Sequence, residues 1–145
     1  MNAETDAVCL ERVLPASPGR VFDAWTRPDW LALWWTPPST GLLTEVEALD
    51  PVVGGALRLS VHAGTQVVAR VWGVFEQVER PRVLAFTWNS DGDCEGATSR
   101  VTVSLRPHPR GCALTLVHSQ GPPAQAEPSW RAMLANLSDH LQGSP

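Results

Sequence analysis

Residues 128–142 read PSWRAMLANLSDHLQ, and in them Trp130, Met133, Leu134, Leu137 and Leu141 fall at i, i+3, i+4, i+7 and i+11. At 3.6 residues per turn these five side chains share one face of a helix. Arg131, Ser138, Asp139 and Gln142 take the other side, Pro128 suits a first helical turn, and Gly143 suits a stop. A helix with so wide an apolar stripe must lay it against another layer. Nearly everything between Leu42 and His118 has strand character, so that layer is a sheet. The expectation is one long helix held by a curved antiparallel sheet, with a pocket wherever the two fail to touch.

At 145 residues the chain is expected to form one domain over 1–145, long enough to bury roughly 70% of its unfolded surface. The net charge of −4 argues against nucleic acid as a partner, because phosphate binding needs a basic face. No run of apolar residues is long enough for a membrane span. The opening MNAETDAV is polar and acidic where a secretory signal would be basic and then apolar, so the expected location is cytoplasmic. Cys9, Cys94 and Cys112 are widely spaced and odd in number, which fits neither a zinc site nor a disulfide framework. All 11 basic residues are Arg, which excludes lysine Schiff-base chemistry. Nothing in the chain calls for a cofactor or a metal. Seven Trp and no Tyr, at about 150–250 Å² of surface per ring, point to a thick core or an aromatic-lined cavity.

Val8 to Leu14 reads as a first strand, with Glu11 and Arg12 marking it as an edge. Ser17-Pro18 opens a helix as N-cap and first residue, with Val21, Phe22 and Trp25 on its apolar face. Thr26 to Asp29 has the spacing of a capping box, so a second helix is expected there, running to Trp35 and ended by Thr36-Pro37-Pro38. Strands follow at Leu42–Leu49, Ala56–His62, Gln66–Val78, Val83–Trp88, Arg100–Arg106 and Ala113–His118. In Ala56–His62, Leu57, Leu59 and Val61 face in, while Arg58, Ser60 and His62 face out. Gly73, inside the longest strand, is expected to mark a bulge. The order is β-α-α-β6-α, an α+β fold.

Several motifs resemble the activator of heat-shock-protein-90 ATPase homologue family. They are Phe22-x-x-Ala-Trp25-Thr26-x-Pro28, Leu31-x-x-Trp34-Trp35, Asp50 with Gly54-Gly55, Gly73, Pro81-x-x-Leu84-x-Phe86-Thr87-Trp88, Val101-Thr-Val-x-Leu105 and Trp130-x-x-x-Leu134-x-x-Leu137. The match covers almost the whole chain in order. It departs where Asp50-Pro51-Val52-Val53 precedes Gly54 without the family's basic residue, where Gly111 is followed by Cys112, and where Ser129 precedes Trp130. The resemblance implies a START-like, helix-grip fold of the SRPBCC superfamily with a cavity between the long helix and the concave sheet. It implies little about chemistry, since similar proteins include chaperone activators, apolar-ligand binders and cyclases.

The candidate binding set is Trp35, Phe86, Trp88, Trp130, Met133 and Leu137, with His118 as polar anchor and Arg70 as a second polar candidate. His118 shares the parity of Leu114 and Leu116 and so points inward at the end of its strand, near a pocket mouth. Arg70 shares a face with Val68 and Trp72, and if inward it needs Glu45, Glu47 or an anionic ligand as partner. Asp91 to Gly96 copies the first half of a calcium loop, but Thr102 stands at the twelfth position inside a strand, so a polar hairpin loop is the better reading. The expected function is binding of a small apolar or aromatic ligand. A chaperone-type interaction module of the stress response, or a cyclase- or hydrolase-type enzyme with His118 as base, are the alternatives, and whether the chain is an enzyme is left open. Expected partners are the ligand itself, with a homodimer or a chaperone-type protein as further options.

Overall fold

The computed structural model describes residues 7–91, 98–120 and 126–143. Its elements are β1 (Val8–Leu14), α1 (Pro18–Thr26), α2 (Pro28–Trp35), a 3-10 turn (Pro38–Thr40), β2 (Leu43–Leu49), β3 (Ala56–Ala63), β4 (Gln66–Glu79), β5 (Val83–Ser90), β6 (Ser99–His108), β7 (Gly111–Ser119) and α3 (Ala126–Gly143). The seven strands form one antiparallel sheet in the order β1-β7-β6-β5-β4-β3-β2. All three helices cover one face of it. α3 packs on β1, α2 packs on β2, and α2 touches α3, so the helices bridge the two edges of a curved sheet. This is the α+β helix-grip arrangement.

Local sequence accounts for most boundaries. Ser17 caps α1 with its hydroxyl, which accepts from the Arg20 N–H, and Pro18 supplies the preset φ of a first turn. The capping box expected at Thr26 does not form. Its Oγ1 donates to the Phe22 carbonyl at 2.9 Å, and Arg27 takes the cap position of α2 without a side-chain bond. Pro28 at the first helical position needs no donor partner, so α2 starts without that help. β3 and β4 are joined by Gly64-Thr65, and Gly64 adopts φ +64°, a conformation suited to glycine in a tight hairpin.

Gly73 is not a bulge. The pairs Trp72↔Asn89 and Phe75↔Phe86 on either side of it keep one register, and the shift falls between Phe75 and Gln77. A Cβ at Gly73 would stand 1.8 Å from the Thr87 carbonyl oxygen, so glycine is there because β4 and β5 approach too closely for a side chain. The neighbouring Val74 N–H donates to Thr87 Oγ1 at 2.8 Å.

The inward rows are Leu57, Leu59 and Val61; Val71 and Phe75; Leu84 and Phe86; Val101, Val103 and Leu105; and Leu114, Leu116 and His118, all buried. All but Val61, Val71 and His118 join one apolar cluster with Val21, Phe22 and Trp25 of α1, Leu31 and Trp34 of α2, and Trp130, Leu134, Leu137 and Leu141 of α3. Arg70 belongs to the outer row of β4, with its side chain 57% exposed and its Nη1 3.9 Å from Asp91 Oδ2. It lines no interior. Glu45 and Glu47 serve the outer face of β2 and β3 instead. Ser60 Oγ donates to Glu47 Oε2 at 3.0 Å, His62 Nε2 lies 3.4 Å from Glu45 Oε1, and these neighbours cover Ser60 although it faces outward. Of the calcium-like stretch, residues 92–96 lie outside the described residues; Asp91 accepts from the Arg70 N–H at 2.9 Å.

Candidate ligand-binding site

Six aromatic rings gather where the helices meet the middle of the sheet. Trp34 ties α1 to α2, its Nε1–H donating to the Ala24 carbonyl at 2.8 Å, and Trp25 stands edge-on to it with centroids 4.8 Å apart. Trp35, the last residue of α2, stacks on Trp88 of β5 at 6.1 Å and 27° and meets Trp130 of α3 edge-on at 6.0 Å. Trp88 and Trp130 are 5.3 Å apart. Phe86 lies 6.5 Å from Trp25. Such tilted and edge-on pairs each add about 0.5–1.5 kcal/mol beyond the area they bury.

His118 sits under this cluster, fully buried rather than at a pocket mouth. Trp130 Nε1–H donates to its Nδ1 at 3.0 Å. An indole nitrogen can only donate, so Nδ1 is the acceptor and the proton of the neutral ring resides on Nε2. That nitrogen donates to Ser99 Oγ at 2.7 Å, and the Ser99 hydroxyl passes a proton donor on to the Trp88 carbonyl at 3.4 Å. Burial pushes the His118 pKa down to about 4, so the ring is uncharged at neutral pH. Both nitrogens are spent within the fold. This ring holds β6, β7 and α3 together and has no lone pair left for a ligand or for proton abstraction.

The hollow has no wall on α3. There Trp130, Leu134, Leu137 and Leu141 are buried and mesh with the sheet, while Met133 is half-buried against the same core. Among the described residues an apolar space lies between α1, α2 and strands β3 to β5. Its walls are Trp25, Leu31, Trp35, Leu57, Leu59, Phe75, Leu84 and Phe86, and its volume is about 10 Å³, room for one water. Trp35 alone among these walls is half-buried, the other seven being buried, so Trp35 is the side that meets solvent. Of the expected set, Trp35 and Phe86 line this space. Trp88, His118 and Trp130 form the layer behind it, Met133 and Leu137 belong to the packed α3 face, and Arg70 points away. Trp25, Leu57, Leu59 and Leu84 were legible as residues of apolar faces, whereas the facing of Phe75 on its long strand was not, and no sequence signal placed a gap at these walls.

Two indole donors are left over. Trp25 Nε1 and Trp88 Nε1 are buried without a hydrogen-bond partner, whereas those of Trp34 and Trp130 are satisfied.

The family model described as activator of Hsp90 ATPase homolog 1-like protein matches residues 15–142. The chain belongs to that family. A Chromobacterium violaceum protein of known crystal structure is 26% identical, with 95% of this chain and 99% of that one covered at a TM-score of 0.81. An AHSA1-like protein from Aeromonas hydrophila, solved by NMR, is 25% identical over 94% of this chain and 92% of its own, with a TM-score of 0.76. A protein from Arthrobacter aurescens shares the fold at a TM-score of 0.81 and 21% identity, over 99% and 90% of the two chains. A search of curated proteins finds no match. No helix among the described residues is long and apolar enough to cross a membrane.

Proposed function

We propose that this AHSA1-like chain binds a small apolar or aromatic molecule in the hollow between α1–α2 and strands β3 to β5. The observation that carries this reading is a gap walled by four aromatic rings and four leucines, with no charged side chain, beside one half-buried ring, Trp35. Sites for small apolar ligands are concave and lined in this way. The volume of about 10 Å³ means that a ring-sized ligand enters only if the walls part. Trp35 is placed to move, because it ends α2 and is followed by Thr36 and the two prolines Pro37 and Pro38, which prevent the helix from continuing past it. No charged side chain lines the space and His118 is committed to Trp130 and Ser99, so the arrangement favours binding over turnover. Calorimetric titration with naphthalene tests the reading: saturable one-to-one binding that is lost when Leu59→Trp fills the hollow is expected, and absence of binding overturns it.

A second reading, docking of a protein on the outer sheet face, is favoured by one observation. Val68, Trp72 and Val74 are exposed apolar residues on the outer row of β4, 53%, 41% and 45% accessible, with the exposed Arg70 between Val68 and Trp72. Such rows on a solvated sheet face serve as contact surfaces.

A further inference from the structure

The polar complement of the hollow is one-sided. Its eight walls carry no carboxylate, no hydroxyl, no amide and no cation; the polar atoms that their side chains offer are the indole N–H groups of Trp25 and Trp35, which are donors only. One of them is unsatisfied. Trp25 is 3% exposed, and its Nε1 has no partner. An unpaired buried donor costs about 1–3 kcal/mol relative to a paired one. Trp88 Nε1 is likewise without a partner but is not among the walls of the hollow, whereas Trp34 is paired with Ala24, Trp130 with His118, and His118 with Ser99.

Building on the binding reading above, we infer that the molecule taken up in the hollow is a neutral aromatic compound bearing a hydrogen-bond acceptor, of the aryl ketone or aryl ester class, whose oxygen receives the Trp25 N–H. Charge is excluded by the walls. A carboxylate or an ammonium placed there would be buried with no counter-charge, a cost of several kcal/mol per ion. A donor such as a phenol or an amine would find no acceptor on the walls. A plain hydrocarbon fits but leaves the Trp25 donor unpaired. The rings of Trp25, Trp35, Phe75 and Phe86 favour a flat partner that can stack or meet them edge-on.

The test is titration of one ring skeleton in four forms, naphthalene, 2-acetylnaphthalene, 2-naphthoate and 2-naphthylmethylammonium, read by calorimetry and by the indole ¹H–¹⁵N signals of the seven Trp. The ketone is expected to bind roughly 10-fold more tightly than naphthalene, since a site with a buried donor discriminates against the analogue that leaves it unpaired. The two ions should show no saturable binding. The Trp25 indole signal, assigned through Trp25→Phe, should move most with the ketone and little with naphthalene, and in the Trp25→Phe variant the two affinities should become equal. Should Trp25→Phe not fold, the wild-type signal decides alone, after assignment by selective relaxation near the bound ketone. Equal affinity of ketone and hydrocarbon, or a static Trp25 signal, overturns the acceptor inference and leaves the binding reading standing. Tightest binding of either ion also overturns it. No binding by any of the four overturns both.

Discussion

Trp130 donates its indole N–H to Nδ1 of His118 at 3.0 Å, and this one bond fixes the histidine tautomer, its charge and its availability. The contact joins α3 to β7. Ser99 completes it from β6 on the other ring nitrogen. A buried histidine so held is a structural hinge-pin between helix and sheet, and the pH dependence of stability should reveal it.

Burial lowers the His118 pKa from 6.5 to about 4 in the folded protein. Between those values the unfolded chain binds the proton and the folded chain does not, so stability falls as pH drops. The full contribution is present above about pH 6.5, is lost progressively towards pH 4, and levels off below. A shift of that size corresponds to on the order of 3 kcal/mol. His118→Gln keeps an acceptor for Trp130 and a donor for Ser99 without the titration. Urea midpoints measured from pH 7 to pH 4 should therefore fall less steeply in the variant than in the wild type. An unchanged slope would show that His118 titrates normally.

Trp35→Ala should separate binding from stability. The ring stacks on Trp88 and forms the solvent side of the hollow. Its removal should cost about 1–3 kcal/mol, less than the usual value for a fully buried Trp, since Trp35 is half-buried. Apolar voids stay dry and accept apolar solutes, so naphthalene should associate faster and more tightly. Stopped-flow fluorescence and thermal melts report the two quantities. Weaker binding would mean that Trp35 grips the ligand and does not screen it.

Trp72→Ser bears on the outer face. Trp72 lies opposite Arg58 on β3 and Asn89 on β5 and is 41% exposed. Surface changes of this kind stay within about 0.5–1 kcal/mol. Thermal stability should barely move and naphthalene binding should be unchanged. Loss of naphthalene binding would link the two faces, which nothing in the packing between them predicts.

The parts of the fold that follow from periodicity were readable in the chain. The stripe from Trp130 to Leu141 and the alternation in β6 and β7 record burial patterns of one period each, and the Ser17-Pro18 start records a cap. Thr26 misled because a threonine hydroxyl can serve the preceding turn as readily as the next helix. The position of the hollow was not legible. A cavity is the residue of how large side chains pack in three dimensions, and Trp130 and Leu137 closed the space beneath α3 while Trp25 and Trp35 left a gap beside it. Parity put His118 inside. Its partners come from Ser99 and Trp130, 19 and 12 residues away, and no local pattern encodes such contacts.

Gly73→Ala is the sharpest test of the sheet. The added Cβ would meet the Thr87 carbonyl oxygen at 1.8 Å and its carbon at 2.8 Å, both backbone atoms that cannot rotate away. β4 and β5 would have to separate beside the Phe75–Phe86 contact, whose rings are 5.9 Å apart and which forms one wall of the hollow. The expected loss is at least about 3 kcal/mol, at the upper end for a single substitution, and naphthalene binding should weaken together with stability because the wall itself moves. Gly64→Asn is the control. Gly64 has φ +64° with nothing within 4 Å of its would-be Cβ, and Asn tolerates that conformation, so its cost should stay under about 1 kcal/mol. Chemical denaturation of both variants decides the matter: a Gly73→Ala protein as stable as the control would mean that the two strands are not held as closely as Thr87 requires.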